Sequence, residues 1–174
     1  MATVFSYWLV PAEPAAARLR AEIAQLAERY DAVAFEPHVT LYSGSSDDRE
    51  VAETLDFLRA SFRPMTLVPF VIAQSARLTK TLYIRLALSD ELASLAETIK
   101  GRARNPSRSV LDDPHVSLLY QAIGEAERTK SAAQVTLPAP FIGDGVTVIE
   151  TEVPIDNLDQ IRRWRFVARF RHGE

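Results

Sequence analysis

The spacing of apolar positions changes several times along this chain, and each change marks an element. Residues 3 to 10, TVFSYWLV, are β-branched and aromatic and stop at Pro11, which predicts a strand. From Glu13 to Tyr30 the period becomes helical. Leu19, Ile23, Leu26 and Tyr30 form one face, with Arg18, Arg20, Glu22, Gln25, Glu28 and Arg29 on the other, and Pro14 suits the first turn. The octapeptide PHVTLYSG, residues 37 to 44, reads as a strand running into a loop at Ser43, Gly44, Ser45 and Ser46. Asp47 or Asp48 then caps a helix carrying Val51, Leu55, Leu58 and Phe62. Apolar runs at 65 to 73 and 82 to 88 predict two strands, with Pro69 forcing an edge or bulge in the first. Ser89 caps a third helix with Leu92, Leu95 and Ile99 inward. Residues 101 to 113 read as a loop and DPHVSLLYQ, residues 113 to 121, as a strand. A weak helix follows at 125 to 133, and two strands near the end close the sheet.

Strand, helix, strand, helix, two strands, helix, strand, helix, two strands is the order of an α+β fold. Its halves are similar in length, and each holds one copy of the octapeptide between helices. We therefore expect one domain, residues 1–174, built as two pseudo-symmetric lobes of mostly antiparallel sheet. Helices would cover the outer faces, and the octapeptide strands would approach each other across a central active-site cleft.

The two octapeptides carry the candidate chemistry. The chain has three histidines, and two of them, His38 and His115, occupy the same place in the two copies. In a strand His38 and Thr40 share a face about 6 to 7 Å apart, as do His115 and Ser117. Val39, Leu41, Val116 and Leu118 face the core. Facing strands would surround one pocket with two imidazoles and two hydroxyls. Two imidazoles can supply a general base and a general acid in one turnover. Two hydroxyls can donate to phosphate oxygens as negative charge builds on them. A cyclic phosphodiester needs this set: water activated on one side of phosphorus and the departing sugar oxygen protonated on the other. Such proton transfers need no metal, and no metal or other cofactor is expected.

The paired His-x-Thr/Ser elements resemble the two-histidine (2H) phosphoesterase superfamily, and within it the small cyclic phosphodiesterases of plants and microbes. The likeness covers nearly the whole chain, from YWLVP near the start through PHVT and PHVSLLY to a final strand preceded by Trp164. It implies hydrolysis of a cyclic phosphate on a nucleotide-derived ribose, such as a 2',3'-cyclic nucleotide or ADP-ribose 1'',2''-cyclic phosphate. It makes His38 the acid at the leaving oxygen and His115 the base, labels that related enzymes running the reverse step exchange. Thr40 and Ser117 would hold the phosphate. Tyr120 and Trp8 match positions near the substrate. An unbroken strand would turn Tyr120 away from His115, so the strand must end or bulge before it. The plant members have cysteines that this chain lacks, so no disulfide-controlled loop is expected.

Composition narrows the rest. There is no cysteine, which excludes disulfides and thiolate metal sites and is compatible with a cytoplasmic location. The net charge of -3 does not favour long nucleic acid as a partner, while a small anionic nucleotide is allowed. No apolar run approaches the roughly 20 residues of a membrane span, and a monomer is expected. The basic run KGRARNPSR, residues 100 to 108, is either a solvated loop or an anion guide. Trp164 reads as core and His172 as surface. No P-loop, dinucleotide-binding glycine pattern, GxSxG or His-x-x-x-His occurs. Two further readings stay open: a 2H enzyme that processes RNA ends, and a non-catalytic nucleotide or phosphate sensor.

Overall fold

The computed structural model describes residues 2–45, 47–107 and 110–173. Three predicted loop positions, Ser46, Arg108 and Ser109, lie outside the described residues. The chain runs β1 (Ala2–Pro11), α1 (Ala15–Arg29), β2 (Val39–Gly44), α2 (Asp48–Ser61), β3 (Met65–Leu67), β4 (Pro69–Gln74) and β5 (Leu82–Leu86). It continues α3 (Asp90–Arg102), β6 (His115–Leu119), α4 (Glu125–Gln134), β7 (Phe141–Val153), α5 (Leu158–Arg162) and β8 (Arg165–Arg171). The caps sit where their side chains predict. Asp47 accepts from the Glu50 N–H, and Ser89 accepts from the Leu92 N–H. The short helix α5 was not legible from periodicity; a capping box between Asn157 and Gln160 holds it.

The fold is α+β with two antiparallel sheets. One has the order β2-β1-β7-β3, with β8 also paired to β7; the other has the order β4-β5-β6. The lobes are unequal, five strands against three, because β7 and β8 return to the first sheet instead of completing the second. The predicted strand at 65 to 73 is shared between them. Met65–Leu67 pairs with β7 and Pro69–Gln74 with β5. The chain changes sheets at Val68, where Pro69 cannot continue the ladder as a donor. Each lobe's helix also crosses over, since α1 lies against β6 and α3 against β2. The helices thus bind the sheets together, and Leu9, Val39, Ile84, Leu92 and Val116 from both sides belong to one buried cluster.

Both octapeptide strands carry the same irregularity. Between β1 and β2 the pairing steps from Tyr7↔Tyr42 to Trp8↔Thr40, which leaves Leu41 extra. Between β5 and β6 it steps from Leu82↔Leu119 to Tyr83↔Ser117, which leaves Leu118 extra. The extra residue is the third after the histidine in both, and it reverses the side-chain alternation beyond it. A similar slip at Val167 in β8 steps the pairing from Val148↔Ala168 to Ile149↔Phe166.

Gly145 sits between β1 and β8, opposite Val10 and Arg171. A Cβ there would stand 2.4 Å from the Phe170 carbonyl oxygen, and backbone on both sides leaves little room to relax. Gly145→Ala should lower the unfolding free energy by about 1–3 kcal/mol, measured by urea denaturation. An unchanged midpoint would show that β8 can shift away freely.

Candidate active site

Each histidine is fixed by the residue two positions before it. His38 Nδ1 lies 2.6 Å from the Glu36 carbonyl oxygen, and His115 Nδ1 lies 2.7 Å from the Asp113 carbonyl oxygen. A carbonyl only accepts, so Nδ1 carries the hydrogen in both rings, and Nε2 is left with its lone pair free. The intervening Pro37 and Pro114 favour an extended residue before them, which suits this carbonyl placement. The likeness of the two copies therefore extends to an acidic-Pro-His triplet and to its hydrogen bond.

His38, Thr40, His115, Trp8 and Tyr120 line one cleft of about 160 Å³ together with Ser6, Ser43, Thr79, Ile149, Thr151, Val153, Ile155 and Trp164. The slips in pairing account for two of these. Tyr120 and Ser43 each stand five residues after their histidine, an odd spacing that an unbroken strand would send to the opposite face. Beyond the slip both enter the cleft, and β6 ends at Leu119, just before Tyr120. Tyr42, at an even spacing, is turned into the core instead.

Thr40 is exposed in the cleft. Ser117 is buried and does not line it. Its hydroxyl lies 3.1 Å from the Thr79 carbonyl, to which it donates, and it also pairs with the Tyr120 hydroxyl. The two hydroxyls predicted as a symmetric pair are thus unlike: one open, the other one layer deeper.

Aromatic rings enclose His38. Trp8 stacks on it at 3.6 Å with an 8° angle, and its indole N–H donates to Ser6 Oγ, which lies 2.8 Å from Ser43 Oγ. Trp164 meets both Trp8 and His38 edge to face, and Phe35 stacks on Tyr120 at 3.9 Å. Trp164, read as core from the sequence, is therefore a wall of the site. Its position depends on α5 and β8, which no local pattern ties to the histidines. Ser43 could have been found by aligning the two octapeptides past their fourth residue, where it stands opposite Tyr120.

Burial dominates the electrostatics. It pushes the His38 pKa down to about 4, against the Glu36 carbonyl that favours the protonated ring and with the neighbouring His115. His115 is also pushed below the ordinary histidine value, again chiefly by burial. Around it the Asp113 carbonyl and carboxylate favour protonation, while Lys80 and Arg85 oppose it. Asp113 bridges those two cations, with Arg85 Nε at 2.9 Å and Lys80 also paired. Burial raises its carboxyl pKa, but the two cations together hold it below the usual range. The Tyr120 hydroxyl is pushed up to about 12 by burial, partly offset by its bond to Ser117.

Lys80 faces Asp113 and the Tyr83 ring, and Thr81 is buried with its hydroxyl donating to nearby carbonyls. The described part of the basic run is engaged outside the cleft. Lys100 pairs with Glu97, Arg102 covers the Phe57 ring, Arg104 pairs with Asp47, and the Ser107 N–H donates to Tyr42. His172 is exposed, as expected. Among the described residues no cluster of three or more His, Asp or Glu is placed to hold a metal ion. No helix among them is long and apolar enough to cross a membrane.

Solved structures share this fold. A crystal structure of a phosphoesterase superposes with a TM-score of 0.59 at 17% identity, covering 99% of this chain and 100% of that one. E. coli LigT complexed with ATP gives 0.55 at 17% identity over 99% of each chain. LigT complexed with 3'-AMP gives 0.56 at 16% identity over 98% and 97%. At these identities the likeness establishes the fold alone. No curated protein sequence matches the chain. The cyclic phosphodiesterase-like protein family, however, matches residues 1–157, a stretch that includes both histidine motifs. The chain belongs to the cyclic phosphodiesterase-like protein family.

Proposed function

We propose that this protein hydrolyses a cyclic phosphodiester on a nucleotide-derived ribose to a phosphomonoester, using the two histidines for both proton transfers. The observation that carries this reading is the pair of free Nε2 atoms, fixed by the same hydrogen bond in each copy and opening on one cleft. One imidazole takes a proton from water as the water attacks phosphorus. The other gives a proton to the ribose oxygen as its bond to phosphorus breaks. Thr40 donates to a phosphate oxygen from the cleft wall, and Ser117 stands behind with Tyr120. The proton transfers and these donors suffice without a metal. That E. coli LigT has been solved with 3'-AMP and with phosphate accords with a nucleotide phosphate as ligand.

The shifted histidines set the pH behaviour. Turnover needs one neutral and one protonated imidazole, and burial lowers both pKa values below 6.5 in the free protein. At neutral pH the lowered values favour the uncharged form of both rings. A bound phosphate anion next to them favours the imidazolium. Protonation is therefore completed by the substrate.

Three outcomes follow from this reading. With excess EDTA present, cyclic nucleotides or ADP-ribose 1'',2''-cyclic phosphate should be converted to a single monophosphate isomer, resolved by phosphorus NMR. His38→Ala and His115→Ala should each lower kcat by about 10²–10⁴-fold while substrate still binds; retained turnover in either would refute the assignment. The optimum of kcat/KM, which reports the free protein, should lie below pH 6.5, and that of kcat should lie higher; an optimum of kcat/KM above 7 would contradict the burial argument.

A fourth outcome concerns stability. A histidine with an unfolded pKa near 6.5 and a folded pKa of about 4 stabilises the fold fully above pH 6.5. That stabilisation fades as pH falls from 6.5 toward 4. Across this window the wild type should lose about 3 kcal/mol more than His38→Gln, read from denaturation curves at each pH. Parallel curves would mean that His38 protonates freely in the folded protein.

A further inference from the structure

The catalytic cleft, about 160 Å³, is smaller than the roughly 300–1,000 Å³ of sites that enclose whole small-molecule ligands. It has room for the ring being opened and little else. Directly beside it lies a cavity of about 580 Å³, which shares Trp8, Ile149 and Trp164 with it as a common wall. Both open on the same face of the larger sheet. The second cavity continues along β1, β7 and β8 through Val10, Thr147, Phe166 and Arg169, with Arg20 of α1 and Phe35 opposite.

Two side chains in that cavity have nothing to do in the protein alone. Phe166 is 58% exposed and meets no other ring among the described residues. Arg169 makes no ion pair or side-chain hydrogen bond among the described residues, whereas its neighbours do. Arg162 pairs with Asp159, Arg163 with Glu152, Arg165 with Glu150, and Arg171 with Asp144. Arg20, across the cavity, is held by Glu13 and Glu36. The slip at Val167 is what puts Phe166 and Arg169 on one face, because residues three apart in an unbroken strand point to opposite faces. An unstacked ring and an unpaired guanidinium, re-aimed into one cavity, match a nucleobase and the phosphate attached to it.

We propose that this cavity is a second nucleotide subsite, in which Phe166 stacks a base and Arg169 binds the phosphate linking it to the ribose in the catalytic cleft. The protein therefore selects two-unit substrates, in which a nucleoside is joined through phosphate to the ribose that bears the cyclic phosphate, over cyclic mononucleotides. Phe166 and Arg169 both lie in β8, beyond residue 157, where the family match ends. The inference rests on the proposed reaction for the part of the substrate in the cleft. The linkage is either a phosphodiester or a diphosphate, which present the same anionic oxygens to Arg169.

The test compares 2',3'-cyclic AMP with a diadenosine ending in a 2',3'-cyclic phosphate and with ADP-ribose 1'',2''-cyclic phosphate. The ratio of kcat/KM for each two-unit substrate to that for cyclic AMP is measured in the wild type, Phe166→Ala and Arg169→Gln. We expect the wild type to prefer at least one two-unit substrate by about tenfold or more, and each substitution to lower that ratio by about tenfold. The preferred compound identifies the linkage. Ratios that stay constant across the three proteins overturn the subsite. Calorimetric binding of 2'-AMP and of diadenosine 2'-phosphate, run in parallel, separates this inference from the reaction itself. Tighter two-unit binding that is lost in Arg169→Gln, with no turnover of any substrate, would keep the subsite and overturn the hydrolysis. Equal binding in all three proteins would overturn the subsite whatever the turnover.

Discussion

The site depends on one hydrogen bond made twice, from each histidine Nδ1 to the carbonyl two residues earlier. It determines which ring nitrogen is bare, and it holds the ring against rotation. Without it either nitrogen could carry the proton, and the imidazoles would lose their orientation toward a common ligand. Glu36 and Asp113 contribute through their backbones, yet their carboxylates are anchored as well, Glu36 by Arg20 and Asp113 by Lys80 and Arg85. The acidic side chain thus tethers the segment whose carbonyl holds the ring.

The second constraint is the slip in strand pairing three residues after each histidine. A regular strand can offer a ligand only every second residue. The slips at Leu41 and Leu118 keep His38 and His115 in the cleft and then admit Ser43 and Tyr120, while Tyr42 goes to the core. Bulges of this kind re-aim side chains near functional sites. The duplication is therefore one of backbone irregularity as much as of residue type.

The copies differ in what surrounds them. His38 is sealed by Trp8, Phe35 and Trp164, and its protonated form is disfavoured by that enclosure. His115 is less buried and stands among charges, with Asp113, Lys80 and Arg85 behind it. Similar strands set in unlike surroundings give two imidazoles with different electrostatics, which suits the distinct acid and base steps of the proposed reaction.

How much of this could be read from the residues follows the range of the interactions. Period, caps and turn chemistry act over a few residues, so the strands and the α1, α2 and α3 helices follow from local pattern. Two octapeptides that share Pro, His, Val, a small hydroxyl residue and Leu then suffice to mark His38, Thr40, His115 and Ser117 as candidates and to suggest a phosphate chemistry. Tyr120 was legible only as a conflict, a residue that the alternation would have turned away. What the sequence could not determine by itself depends on partners far along the chain. The return of β7 and β8 to the first sheet makes the lobes unequal and brings Trp164 against Trp8. The depth of Ser117 follows from Thr79 lying over it, and the cavity beyond Trp8 exists only because α1, the segment at 33 to 37 and β8 meet. Those contacts join residues 38 positions apart at Thr79 and Ser117 and much farther apart at Trp8 and Trp164, and no periodicity within either segment records which distant surface it will face.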